Sequence, residues 1–126
     1  MLINEVFGWF WITFGFLSGT LLGMRFQNED WMGGYSSHPR RLIRLGHISF
    51  LGLGILNILF SHSLSRINLN PHLIHLASWS FIIGGISMPI CCGLMAWQKI
   101  WQFLFTIPVI SLITGAILTF IGLLSL

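Results

Sequence analysis

LIHLASWSFIIGGISMPICCGLM, residues 73–95, contains no lysine, arginine, aspartate or glutamate. A helix over this run is about 35 Å long, enough to cross the roughly 30 Å hydrocarbon core of a bilayer. A helix of that length in water needs a charged face, and this one has none. The run therefore predicts a transmembrane helix. Its small residues add detail: Ala77, Gly84 and Cys91 lie on one line at heptad spacing, with Ser78, Gly85 and Cys92 on the next. Helices in lipid associate by close packing of small side chains, so this two-residue-wide groove should face another helix or hold a flat cofactor. Pro89 is expected to bend the helix near its end.

Three further runs flank this one. Residues 6–24 are uncharged, and Gly15, Gly19 and Gly23 recur at every fourth position, a ridge against which another helix can pack. The run follows no basic n-region, so it is expected to persist as a helix and not as a cleaved signal. Residues 42–60 form the most polar span, interrupted by His47, Ser49 and Asn57. Residues 101–125 are again uncharged, with a small ridge at Ser111, Gly115 and Thr119 and an expected kink at Pro108. The segment Ser61 to Pro71 is too short for a domain, so spans two and three should form an antiparallel hairpin. Residues 25–41 read as a polar loop containing Asn28-Glu29-Asp30 and Gly33-Gly34, with Trp31 and Tyr35 expected at the membrane interface. The fold class is thus all-α: a single integral membrane domain over residues 1–126, with four transmembrane helices in an antiparallel bundle.

The composition agrees, with 55% hydrophobic and only 7% charged residues, where soluble domains carry about a quarter charged. The net charge of +3 is too small and too local for nucleic acid, which demands many basic residues spread over one face. Arg25, Arg40, Arg41, Arg44 and Lys99 fall in or beside the 25–41 and 96–101 connections, and only Arg66 lies on the other side. By the positive-inside rule those two connections are cytoplasmic and both termini lie outside, in a bacterial inner membrane or another energy-transducing membrane. Arg40, Arg41 and Arg44 mark the boundary, as contacts for anionic headgroups or for a partner.

Ionisable groups at membrane depth are costly and so count as candidates for function. His47 leads, with Gly54, Asn57 and Ser61 completing a polar arc that should point into the bundle. It can be a satisfied core imidazole, a ligand, or a proton-relay or quinone contact. Heme requires two axial ligands at one depth; Cys92, Met88, Met95 and Met24 lie near the level of His47, but no second histidine shares its layer. Near the opposite surface, His62, His72 and His75 flank the hairpin, as interfacial residues or as heme or metal ligands. Cys91 and Cys92 sit inside an apolar run, which suggests packing first and a soft metal such as Cu(I) second.

The carboxylates Glu5, Glu29 and Asp30 lie at a membrane edge or in a loop, so no acid/base pair enters a span. There is also no phosphate loop, nucleophilic triad or HExxH helix. An enzyme acting alone is not expected. The leading reading is a small accessory subunit of a larger membrane complex of respiratory or other electron-transferring type, with a packing and stabilising role. Its expected partners are membrane lipids and other transmembrane subunits, and Gly15, Gly19, Gly23, Gly84, Gly85 and Gly115 are its packing residues. The alternative is an electron-transfer protein binding b-type heme, quinone or copper through His47 or the His62, His72 and His75 group. A third reading, a homo-oligomeric transport module, would have to draw its pore from span two.

Overall fold

The computed structural model describes residues 2–28, 34 and 37–125. The interfacial positions expected for Trp31 and Tyr35 concern residues outside that set. Among the described residues there are four long α-helices and no strand: α1 (Leu2–Phe26), α2 (His38–Ser63), α3 (Pro71–Trp97) and α4 (Thr106–Leu124). All four are long and apolar enough to cross a membrane. The protein is a helical membrane bundle.

The helix starts follow local chemistry. Ser37 accepts from the Arg40 amide at 3.3 Å, and Pro39 stands in the first turn of α2. Asn70 accepts from the His72 amide at 2.9 Å, with Pro71 opening α3. Each pair places a side-chain acceptor on orphan N–H groups, then a proline where a missing N–H costs nothing. With these caps α2 exceeds the 42–60 run at both ends. Helix α1 likewise reaches back to Leu2, taking in Asn4 and Glu5.

The last span departs from a plain helix. Lys99–Phe105 is a 3-10 helix, and α-helical bonding begins only at Thr106. Pro108 therefore occupies the first turn of α4, where its lack of an N–H breaks no intrahelical bond. At the far end, the connection between α2 and α3 caps α4. The Asn68 amide donates to the Gly122 carbonyl at 3.1 Å, and its side chain donates to the Ser125 carbonyl at 3.2 Å.

Each helix packs on its neighbours in the chain, while α1 meets α3 at only a few points. Helix α3 is the most enclosed, and its two small-residue lines serve opposite sides. Gly84 and Cys91 face the last span: a methyl group placed on Gly84 would lie 2.6 Å from the Leu112 side chain of α4, and the Cys91 thiol contacts the Leu104 carbonyl of the 3-10 segment at 3.3 Å. Ser78, Gly85 and Cys92 face α1 and α2, where Ser78 meets Asn4, Gly85 meets the Phe7 ring and Cys92 meets Gly46. Phe60, Ala77 and Phe81 form the apolar core, with the Phe81 ring stacked over Gly115.

Helices α1 and α2 cross at Gly8 and Gly54. A methyl group on Gly8 would lie 2.5 Å from the Gly54 carbonyl oxygen, and one on Gly54 would lie 2.8 Å from the Gly8 carbonyl oxygen. Only glycine fits on either side of this backbone-to-backbone contact. The expected ridge continues through Gly15, against Leu51 and Phe50, and Gly19, against His47, and stops there. Gly23 has nothing within 4 Å.

Candidate functional site

Three polar side chains meet in the interior at the end of the bundle that carries Leu2 and the α2–α3 connection. Asn4 donates to the Asn57 side-chain oxygen at 2.9 Å and to the Ser78 carbonyl at 3.2 Å, while the Ser78 hydroxyl donates to Asn4 Oδ1. Asn57 in turn donates to the Leu53 carbonyl at 2.8 Å and to the Phe81 carbonyl at 3.4 Å. All three residues are fully buried. A buried amide costs several kcal/mol unless it is bonded, and here every amide hydrogen bond closes on protein. The cluster locks α1, α2 and α3 at a single relative depth.

A second polar contact repairs a backbone defect. Pro89 has no N–H for the carbonyl of Gly85 one turn earlier, and the Trp11 indole N–H fills that gap from α1 at 2.8 Å. Trp11 then anchors a run of rings: Phe7 stacks on it at 4.9 Å, and Phe50 of α2 meets it edge-on at 5.0 Å.

His47 lies at the other end, on the side of α2 that faces α1. Its ring rests on Gly19, where a methyl group would come within 2.7 Å of Cε1, and its Nδ1 is 3.5 Å from the Ser18 hydroxyl oxygen. The Ser18 proton is already committed to the Gly15 carbonyl at 3.0 Å. His47 borders a cavity of about 450 Å³ formed where α1 and α3 diverge. Its walls are Phe10, Trp11, Phe14 and Phe50 on one side and Ile86, Pro89 and Ile90 on the other. Of the expected polar arc, Gly54 is buried at the α1 crossing and Asn57 within the lock.

The other candidates are more scattered. His62, His72 and His75 are all exposed, and no group of three or more His, Cys, Asp or Glu side chains gathers among the described residues. Met24, Met88 and Met95 do not line the His47 cavity, so among the described residues it offers one imidazole and no second axial ligand. Cys91 and Cys92 are buried as free thiols packed against the 3-10 segment that precedes α4 and against α2, respectively. Of the three boundary arginines, Arg40 is buried and reaches the Asn28 carbonyl at 3.5 Å, Arg41 is exposed and Arg44 is half-buried.

Sequence reasoning passed over Asn4, Gly8 and Trp11. Together with Gly15 and Ser18 they form a 4-3-4-3 series, the spacing of a helix seam, and that was the available signal. Compared with protein-family models, curated proteins and solved structures, the chain matches none of them.

Proposed function

We propose that this chain is a small accessory subunit of a larger membrane assembly, contributing rigid packing surface and no catalysis of its own. One observation carries the reading: glycines are held on outward helix faces where nothing among the described residues uses them. Gly23 and Gly52 are exposed, and neither has an atom within 4 Å of a side chain placed on it. Glycine inside a helix costs about 1 kcal/mol relative to alanine, and facing lipid it returns nothing. It gains a purpose where another helix approaches closely. Gly52 lies in the otherwise bulky outward face of Leu45, Ile48, Ile55 and Leu59, and makes a shallow seat there. The interior supports the same view, because its buried amides and the Trp11 indole are engaged in holding helices together.

The test is mild-detergent purification from native membranes, with mass spectrometry of whatever co-migrates. The expected result is a stoichiometric assembly with larger transmembrane subunits, which Gly52→Leu disrupts without lowering the melting temperature of the chain itself. Recovery as a lone monodisperse chain would overturn the proposal.

A second reading, an electron-transferring role within such an assembly, draws on His47 facing an aromatic cavity. With a single imidazole there, it favours quinone over six-coordinate heme.

A further inference from the structure

The cavity beside His47 has features that neither a packing role nor a lipid tail requires. It lies where α1 and α3 part, at the arginine-bearing end of the bundle, and its volume of about 450 Å³ falls in the range of about 300–1,000 Å³ usual for small-ligand sites. Resting on the electron-transferring reading above, we propose that it binds the ring of a membrane-dissolved quinol or quinone, whose isoprenoid tail trails into the bilayer.

Charge complementarity selects the occupant. Among the described residues, the lining holds no lysine, arginine, aspartate or glutamate. An anionic group seated inside the cavity would meet no cation among these lining residues, and buried charge without a partner is costly. A neutral ring carrying oxygens meets no such penalty. The walls suit a flat molecule: Trp11 and Phe14 lie nearly parallel, at 20° with centroids 6.1 Å apart, and Phe50 meets Trp11 at 60°. Offset stacking and edge contacts on such rings add about 0.5–1.5 kcal/mol per aromatic pair beyond area burial. An acyl chain makes no use of them.

The polar point is His47. Because the Ser18 hydroxyl donates to the Gly15 carbonyl, its lone pair is what faces His47 Nδ1. That pattern favours the neutral tautomer with its proton on Nδ1 and Nε2 as an acceptor. Nε2 lies beside Gly19, where a methyl group would come within 3.0 Å of it, and makes no hydrogen bond among the described residues. A quinol hydroxyl can donate to it; the protonated imidazole can instead donate from Nε2 to a quinone carbonyl. Ser18 thus orients the ring and Gly19 leaves space for it, so the imidazole is set in place before any ligand arrives.

The test uses the full-length chain in phosphatidylcholine nanodiscs, titrated with decylubiquinol and followed by quenching of tryptophan fluorescence. The expected result is saturable binding of one ring per chain. His47→Leu should weaken it about tenfold, the effect of one hydrogen bond in an apolar site, and His47→Gln, which retains an acceptor, should recover most of that loss. Ile90→Phe crowds the cavity from α3 without touching the imidazole, and should abolish saturation with helix content intact. It decides the matter if His47→Leu misfolds. Quenching that rises linearly without saturating would overturn the proposal, since that is partition into lipid alone. So would equal saturation in folded Ile90→Phe, or a Soret band on the purified chain.

Discussion

Replacing Asn4 with leucine tests whether the buried polar cluster holds the bundle together. The substitution keeps the branched four-atom shape of the side chain but removes three bonds from α1: two amide donations, to Asn57 and the Ser78 carbonyl, and one acceptance from the Ser78 hydroxyl. Interhelical hydrogen bonds in bilayers average about 0.6 kcal/mol and reach about 1.7, so Asn4→Leu should cost about 2 kcal/mol. Asn57→Leu loses the shared bond and the longer contact to the Phe81 carbonyl, and should cost about 1 kcal/mol on the same scale. The bond at 2.9 Å between the two amides is removed by either change, so the double variant should be more stable than additivity implies by about 0.6–1.7 kcal/mol. The assay is a double-mutant cycle on unfolding by sodium dodecyl sulfate in mixed micelles. Additivity within about 0.3 kcal/mol would refute the reasoning and mean that water reaches the first turn of α1.

The glycines divide into two classes. Gly54→Ala drives a methyl group against the Gly8 backbone and Ile12 and should destabilise the chain by about 1–3 kcal/mol, whereas Gly23→Ala, in open space, should be neutral or stabilising by up to about 1 kcal/mol; thermal unfolding in detergent compares them. Trp11→Phe orphans the Gly85 carbonyl and should cost about 1–3 kcal/mol. In a Pro89→Ala background that carbonyl gains a backbone donor, so the same change should cost clearly less; an equal cost in both backgrounds would show that the indole bond does not serve the proline gap. Cys91 and Cys92, buried at 4% and 0% exposure, should resist aqueous maleimide in the folded bundle and react fully on denaturation, as a gel-shift assay would show.

The sequence exposes those parts of this fold that depend on one helix at a time. Uncharged length marks the spans, because lipid penalises charge wherever it falls. The caps at Ser37 and Asn70 are visible as Ser-His-Pro and Asn-Pro, because they act within one turn. The double line of small residues on α3 is visible too, since the size of a side chain limits approach whichever helix comes near. The Asn4 cluster is different. Asn4 stands outside the apolar run that defines span one, and its partners lie 53 and 74 positions away. Its burial depends on the depth at which three helices settle, which no single segment states.

The same distinction explains why the Gly15, Gly19 and Gly23 series meets α2 only at its first two positions. A regular interval of four drifts around the helix at 3.6 residues per turn, so it leaves the contact face, and by Gly23 the surface is bare. The seam that holds to the face alternates four and three, through Asn4, Gly8, Trp11, Gly15 and Ser18, and each of these meets α2 or α3, or a residue on them. Function separates in the same way. The polar residues nearest one end of this seam are consumed in fixing the helices, while at the other end Ser18 fixes only the orientation of His47. The seam thus builds a rigid frame at one surface and, where α1 departs from α3 at the other, leaves one oriented imidazole facing an uncharged, aromatic-walled cavity.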